Sequence, residues 1–442
     1  MATQHSQDRR RIIRLASILV FTLLSLGWYA CADIWGDHNH PPTITSSASA
    51  TGIINLPFSY TASAEDPEKK AITYSYSGLP DWLTVEGKAV HGIPEREGRY
   101  QFRITAQDND GESDRITVTV QVSSNAGLIE SIVEAVSLDS LLDVVGKLSG
   151  QSNINIGDES YSVKTRLTYF AGNELAAKYL EWKLAGFGLM TRRFEFSQRG
   201  SNVIALQQGS VFPDSIYIIG AHYDCQVIGD EDRPEDIRDA PGADNNASGV
   251  AAVLEAARIL SQYTTRYSIL YVLWDEHENV PEDIDQSGLL GSTAYAEHTI
   301  ECNMRIAGVI DLDMIAYDSD DDGRMAIIVG IIGSTLGRSP QMTDQAIGMI
   351  NRFNLNLKPH IMIIELESDS VPFHRLGYST ISFTEDVGND QNRFNYRNTD
   401  TIHQFNNEYF YQISKLVIAT LAYLAGVESE GILPPSIFWF CV

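Results

Sequence analysis

The sequence predicts an α/β domain, with a mostly parallel central sheet and helices on both faces, preceded by a small antiparallel β-sandwich. Two hydrophobicity patterns carry this prediction. Over residues 41–122, short segments alternate apolar and polar residues, which is typical of strands that bury one face. From about residue 160, apolar strand-like runs alternate with longer helical runs, which favours a sheet covered on both faces.

The composition limits the class of protein. A chain of 442 residues exceeds one ordinary hydrophobic core, so we expect two or three domains. The formal net charge of −26 argues against nucleic acid as a partner, because binding to phosphates needs basic surface. The four cysteines are too few for a disulfide framework. The sequence does not decide whether Cys225 and Cys302 form a disulfide.

The first 31 residues are expected to be a signal peptide or a lipoprotein leader. Arginines at residues 9–11 precede an apolar run at 15–26, which has signal-peptide length and is short for a membrane span. Cys31 is a candidate lipid-attachment residue, with simple cleavage beside it and a retained anchor as alternatives. All three place the rest of the chain outside the cytoplasm, as a secreted, periplasmic or surface-anchored protein. Only this lipid or the uncleaved leader would attach it to a membrane.

Residues 41–122 carry the features of the β-sandwich. Turn residues separate four alternating segments, which are 58–62, 72–76, 100–104 and 116–120. Leu-Pro-Asp-Trp-Leu at 79–83 and a closing Asp-Asn-Asp-Gly turn resemble bacterial Ig-like and cadherin-like modules. That resemblance implies a spacer or attachment module. Two roles stay possible for Asp66, Asp108 and Asp110: they could bind Ca²⁺, or they could simply be turn-forming residues.

Residues 125–428 are expected to form the α/β domain, with a tail at 429–442. A linker-like Ser-Ser-Asn-Ala-Gly segment leads into it. The expected strands are 202–206, 215–221, 267–274, 306–312, 325–330 and 380–383. The expected helices are 128–148, 174–184, 248–260, 339–353 and 406–425.

His222 and Asp224 directly follow the apolar strand at 215–221. In open α/β sheets, ligands bind beyond the carboxyl ends of the strands. A further carboxylate, Asp244, leaves a Gly-rich loop that opens a helix. Histidine and carboxylates on rigid elements suit Zn²⁺ in catalytic sites, and they also suit other divalent ions. The sequence therefore predicts a metal site at this edge of the sheet.

Five ordered blocks extend this pattern, and together they resemble the zinc-dependent aminopeptidase family that also contains the glutaminyl cyclases. The blocks are Gly-Ala-His-Tyr-Asp at 220–224, Gly-Ala-Asp-Asn-Asn-Ala-Ser-Gly at 242–249, Leu-Trp-Asp-Glu-His-Glu at 273–278, Ile-Asp-Leu-Asp-Met-Ile at 310–315 and Ser-Asp-Ser-Val-Pro-Phe at 368–373. The likeness covers residues from about 125 to 425 and is far more specific than one short motif.

The resemblance implies metal ligands residue by residue. In that family two metal ions share one bridging aspartate. His222, Asp244 and Asp313 match the ligands of one ion, and Glu278 matches a ligand of the other. Asp224 matches the carboxylate that orients a metal-bound imidazole.

The general-base position departs from the family pattern, which has two adjacent glutamates. In the gapless register the base position falls on His277, beside Glu278 in the ligand position. A shift of one residue gives Glu276 as the base and His277 as the ligand. Imidazole can act as a base near neutral pH, but it can equally bind metal. Residues 279–287 are an acidic insertion next to this block.

The late ligand histidine of the family is missing. Its position falls on Tyr396 or Arg397, and Ser370 stands where a histidine is common. His374 and His403 lie near in sequence and could supply a nitrogen. We therefore expect one Zn²⁺ rather than two, with a weakened second site.

Three functional classes follow. The first, which we adopt, is a metallo-aminopeptidase, a hydrolase that cleaves N-terminal peptide bonds of peptide substrates through a metal-activated water. The second is a glutaminyl cyclase-like acyltransferase with a single zinc. The third is an inactive pseudo-peptidase that serves as a binding protein.

Overall fold

The computed structural model describes residues 39–54, 58–123, 126–228, 238–278, 288–330, 339–363 and 368–430. The predicted leader, the acidic insertion at 279–287 and most of the predicted tail lie outside the described residues. No helix within the described ranges is long and apolar enough to span a membrane.

The N-terminal module is a β-sandwich, as predicted. Its strands are β1 (Thr43–Ile44), β2 (Ser49–Ile53), β3 (Phe58–Thr61), β4 (Ala64–Glu65), β5 (Ile72–Ser77), β6 (Leu83–Glu86), β7 (Ala89–Gly92), β8 (Gly98–Asp108) and β9 (Ser113–Ser123). One sheet has the order β2-β9-β8-β5 and the other β3-β7-β6. The pairing is antiparallel except between β2 and β9. Alternating residues such as Phe102, Ile104, Val118 and Val120 fill the space between the sheets.

The aspartates considered for Ca²⁺ lie in turns of this module or at the end of a strand beside one. Asp66 accepts hydrogen bonds from the backbone N–H groups of Glu68 and Lys70, both at 2.9 Å. Asp108 accepts them from Asp110 and Glu112 at 2.9 and 3.0 Å. Asp110 pairs with Lys70. These are the contacts of turn-forming carboxylates, which is one of the two roles that the sequence analysis considered.

The remaining chain forms the predicted α/β domain. Its strands are β10 (Ile154–Ile156), β11 (Glu159–Tyr161), β12 (Met190–Glu195), β13 (Ser201–Gln207), β14 (Phe212–His222), β15 (Tyr263–Thr265), β16 (Tyr267–Trp274), β17 (Arg305–Leu312), β18 (Arg324–Val329), β19 (Lys358–Met362), β20 (Thr380–Glu385) and β21 (Val427–Glu430). Its helices are α1 (Ala126–Glu134), α2 (Leu138–Leu148), α3 (Ala171–Gly186), α4 (Gly249–Leu260), α5 (Leu290–Glu301), α6 (Ser339–Phe353), α7 (Val371–Arg375) and α8 (Asn407–Ala425).

The single helix predicted over 128–148 is two helices, α1 and α2. Ser137 separates them, because its side chain caps α2 by accepting a hydrogen bond from the backbone N–H of Ser140 at 3.2 Å. The backbone N–H of Ser137 donates to Glu255 of α4 at 2.8 Å. The polar serine thus starts the second helix, which apolar periodicity alone does not reveal.

The central sheet has eight strands in the order β12-β13-β16-β14-β17-β20-β18-β19. Its middle strands, β16, β14, β17 and β20, are parallel, while β12, β13 and β18 join antiparallel neighbours. Successive residues of β14 pack into different hydrophobic clusters on the two faces of the sheet. Ile218 belongs to the smaller cluster and Ile219 to the larger. Helices α4 and α8 cover one face, and α5 and α7 the other. The predicted fold class is therefore confirmed.

The parallel middle of the sheet determines where the candidate residues lie. β14 ends at His222, β16 ends at Trp274 just before residues 275–278, and β17 ends at Leu312 just before Asp313. Since carboxyl ends of parallel strands meet at one edge, these segments converge there.

Gly220 allows β14 to pass close to Trp274 near this edge. A Cβ atom at residue 220 would lie 2.3 Å from the Trp274 Nε1 atom and 2.9 Å from its Cε2 atom. Trp274 is fully buried in the smaller core cluster, so it has little room to move.

We therefore predict that Gly220→Ala lowers the free energy of unfolding by about 1–3 kcal/mol, the range for an overpacked core. Urea unfolding measures this change in the free energy of unfolding. Gly186→Ala is the control, since a Cβ there meets nothing within 4 Å and alanine favours helix. Equal stability of the two variants would contradict the close approach.

Candidate metal centre

His222 ends β14 with its imidazole buried between two aspartates. Its Nδ1 atom lies 3.3 Å from Oδ1 of Asp224, and its Nε2 atom lies 3.4 Å from Oδ1 of Asp313. Neither His222 Nε2 nor Asp313 Oδ1 has a hydrogen-bond partner. Buried polar atoms without partners are rare, and two that face each other indicate a missing third group. A metal ion between them fits both donors.

His277 adds a second imidazole to this pair. Its ring stacks on His222 with centroids 3.9 Å apart and planes inclined by 10°. Its Nδ1 atom lies 2.9 Å from Oδ2 of Asp369. His222, His277 and Asp313 each offer a metal-type donor atom, and these atoms all lie within 4.8 Å of one another. Two imidazoles and a carboxylate form a donor set that several divalent metals accept.

The electrostatics of this group favour positive charge. Burial lowers the pKa of His222, but close contacts with the charged carboxylates of Asp224 and Asp313 raise it well above its ordinary value. Burial and the neighbouring His222 lower the pKa of His277, yet Asp369 and Asp313 raise it to about 9. The carboxylates outweigh burial in both cases, so the pocket stabilises a cation, whether protons or a metal.

Asp224 joins the segments that carry these side chains. Its carboxylate accepts hydrogen bonds from the backbone N–H groups of His277 at 3.3 Å and Glu278 at 3.0 Å, and it also lies beside His222. Burial raises its pKa, but the His222 contact and these bonds hold the pKa below its ordinary value. These are the contacts that the predicted orienting role requires.

Asp244 lies outside the donor group. Its oxygens accept hydrogen bonds from the backbone N–H of Ala316 and the side-chain amide of Asn392, both at 2.9 Å. Burial and the charge of Asp400 raise its pKa to about 7. The structure therefore does not bring Asp244 together with His222 and Asp313, and its role as a ligand stays a prediction.

The neighbouring Asn245 turns toward the site instead. Its amide nitrogen donates to Glu278 Oε1 at 2.9 Å and to Asn395 Oδ1 at 2.8 Å, while its own Oδ1 atom is buried without a partner. The loop thus presents a neutral amide where the resemblance led us to expect a carboxylate. The sequence analysis did not single out Asn245, and only the loop backbone reveals its direction.

The two glutamates beside His277 point in different directions. Glu276 has a positive φ of 55°, its carboxylate accepts a hydrogen bond from Ser197 Oγ at 3.3 Å, and it is not among the grouped donors. Glu278 is buried next to Asn245, and burial raises its pKa. It is not among the three grouped donors. The contacts of Glu276 do not support the shifted register, in which it would act as the base.

The late segment supplies no member of the grouped donors. The backbone oxygen of Tyr396 accepts a hydrogen bond from Ile228 N–H at 3.0 Å, and His403 is exposed in a short 3₁₀ helix, Ile402–Gln404. His374 lies in α7, beside Gly330. The Ser370 hydroxyl bonds to other serines, Ser368 and Ser382, at 2.9 Å. None of these belongs to the described group around His222.

Arg166 fixes the loop that precedes Asp244. Its fully buried guanidinium donates to four backbone oxygens, those of Leu148 (2.5 Å), Tyr223 (2.7 Å), Pro241 (2.7 Å) and Gly242 (2.8 Å). Its backbone N–H donates to the Cys225 sulfur at 3.2 Å. Cys225 and Cys302 are not joined to each other by a disulfide.

Comparison with known families gives two matches. Residues 202–421 match the model of "Peptidase family M28", and residues 41–123 match "Putative Ig domain". A "Probable zinc metalloprotease" of Pyrenophora teres f. teres is 34% identical over 132 residues, which are 30% of this chain and 26% of that protein. The match thus spans about a quarter of the length of that relative.

Two solved structures share the fold. The LapA aminopeptidase of Legionella pneumophila aligns with a TM-score of 0.55 and 18% identity, over 68% of this chain and 74% of that one. The glutaminyl cyclase of Porphyromonas gingivalis aligns with a TM-score of 0.52 and 18% identity, over 65% of this chain and 98% of that one. At these identities the likeness shows the fold alone.

We predict that Arg166→Lys destabilises the protein by at least about 2 kcal/mol, because lysine cannot reach four carbonyls in fork geometry and leaves buried acceptors unpaired. Urea unfolding measures the loss. The control is Arg193→Lys, which alters partly exposed ion pairs with Glu174 and Glu181 and should cost less than about 1 kcal/mol. Similar losses of stability in both variants would contradict the role of Arg166 in holding the loop.

Proposed function

Because residues 202–421 form a domain of peptidase family M28, we propose that this protein is a metal-dependent aminopeptidase that hydrolyses N-terminal peptide bonds. One observation carries the proposal. The unpartnered Nε2 atom of His222 faces the unpartnered Oδ1 atom of Asp313 at the carboxyl edge of a parallel sheet. These two residues would hold the ion.

Zinc is the proposed ion, because a relative of this chain is described as a zinc metalloprotease and the donors suit it. One ion is proposed rather than two, since Asp244 is held by Ala316 and Asn392 and the amide of Asn245 stands in its place. When bound, the ion supplies Lewis-acid activation of water and of the scissile carbonyl.

The surroundings of the site favour a substrate with a free amino terminus. Asp244, Glu278, Glu385 and Asp400 are all buried at this edge. Glu385 has an oxygen without a hydrogen-bond partner, and burial together with Asp244 raises its pKa well above the ordinary value. A protonated α-amino group would relieve part of this repulsion among buried carboxylates.

The location outside the cytoplasm is also proposed, as a secreted, periplasmic or surface-anchored protein. The support is the basic segment at 9–11 and the apolar run at 15–26. The Ig-like module at 41–123 would then act as a spacer between the leader and the peptidase domain.

We expect the purified protein to contain about one equivalent of zinc and to hydrolyse aminoacyl p-nitroanilides. Chelation should abolish turnover, and added zinc should restore it. Asp313→Ala should remove most of the metal and lower turnover by at least about 10²-fold, since a carboxylate ligand is lost. Plasma spectrometry and a colorimetric assay measure these changes.

N-terminally acetylated substrates provide the matched control, and they should not be cleaved. Cleavage of blocked peptides at the same rate would contradict the exopeptidase assignment. Bound zinc without hydrolysis of any peptide would favour a binding protein. Release of pyroglutamyl products from glutaminyl peptides would favour the cyclase chemistry.

A further inference from the structure

Two adjacent residues next to the metal centre differ in how they contact it. We propose that His277 and Glu278 have exchanged the roles that the family resemblance assigns to their positions. His277 is the third metal ligand, held in place by Asp369, and Glu278 stays off the metal as the proton-accepting carboxylate. This inference rests on the metal-binding function proposed above.

The first support is the placement of the His277 ring. It lies parallel to the His222 ring, and its donor atom belongs to the same group as those of His222 and Asp313. A general base needs space for the reacting water between itself and the metal ligands. The donor atoms of His277, His222 and Asp313 all lie within 4.8 Å of one another, which places His277 among the ligands.

The second support is that each imidazole has its own aspartate. Asp224 lies 3.3 Å from His222 Nδ1, and Asp369 lies 2.9 Å from His277 Nδ1. Metal-bound histidines donate their other ring N–H to such a carboxylate, which fixes the tautomer. With Nδ1 bonded to Asp369, Nε2 remains as the nitrogen that a metal would take. Asp369 is buried, so it holds the ring firmly.

The third support is the surroundings of Glu278. Its Oε1 atom accepts a hydrogen bond from the Asn245 amide at 2.9 Å, and its backbone is fixed by Asp224. A second cation beside Glu278 would meet the neutral amides of Asn245 and Asn395, which offer too little negative charge for a divalent ion. Glu278 is therefore a carboxylate outside the grouped donors, adjacent in sequence to the ligand His277 and without a second cation to hold.

The reaction step balances without another reactant. Water adds to the scissile carbonyl carbon as one of its O–H bonds breaks, and Glu278 takes that proton. The C–N bond then breaks, and the leaving amine nitrogen receives the proton from Glu278. The carboxylate is restored at the end, as general acid–base catalysis requires.

The proposed exchange of roles can be tested with Co²⁺ in place of the proposed zinc. The two readouts are the affinity of the protein for Co²⁺ and its visible absorption spectrum. His277→Gln should weaken Co²⁺ binding by at least about 10²-fold and change the absorption bands, because a nitrogen ligand is lost. Asp369→Asn, which keeps His277, should weaken binding by about 10–100-fold. Glu278→Gln should leave affinity and spectrum unchanged, while turnover of aminoacyl p-nitroanilides falls about 10²–10⁴-fold.

His403→Gln, at an exposed residue of the short 3₁₀ helix, is the matched control and should change none of these readouts. The exchange is overturned if Glu278→Gln loses the metal, whether or not His277→Gln does. It is also overturned if His277→Gln, folded by circular dichroism, keeps its affinity and spectrum. If the unaltered protein binds no Co²⁺ or Zn²⁺, it is the proposed metal function itself that fails.

Discussion

The site depends on the buried carboxylate of Asp224. It contacts three groups on two segments: the His222 ring at the end of β14, and the backbone N–H groups of His277 and Glu278 after β16. Hydrogen bonds to a charged group contribute about 1.5–3 kcal/mol each, and more is lost when one partner is left buried and unpaired. Asp224 therefore fixes both the direction of the first imidazole and the path of the segment that carries the second.

Arg166 makes the complementary contacts next to the same strand end. Its guanidinium binds the carbonyl of Tyr223, next to Asp224 in sequence, and those of Pro241 and Gly242 before Asn245. A buried anion thus orders one loop through its N–H groups, and a buried cation orders the next through its carbonyls. The irregular backbone around the centre is in this way satisfied by charged side chains rather than by regular hydrogen bonding.

Much of this architecture could be predicted from the sequence, because it follows from hydrophobic period and order along the chain. The run at 215–221 ends at His222 in the structure, and Asp313 follows β17 as expected. The directions of individual side chains, which the sequence did not reveal, depend on single backbone torsions. Asn245 adopts non-helical angles, so it turns inward while Asp244 does not, and a positive φ turns Glu276 toward Ser197. Asp369 was missed because its partner, His277, is distant in sequence.

The charge around the centre explains why such a site tolerates a changed residue at position 277. A glutamate there would add another buried negative charge beside Asp224, Asp313 and Asp369, and unpaired buried charge is costly. An imidazole instead uses Asp369 as a partner and offers its second nitrogen to a cation. The carboxylates raise the pKa of both histidines, so the imidazoles hold protons when no metal is present. Metal binding must displace those protons. The same charges that stabilise the ion also make its binding depend on pH.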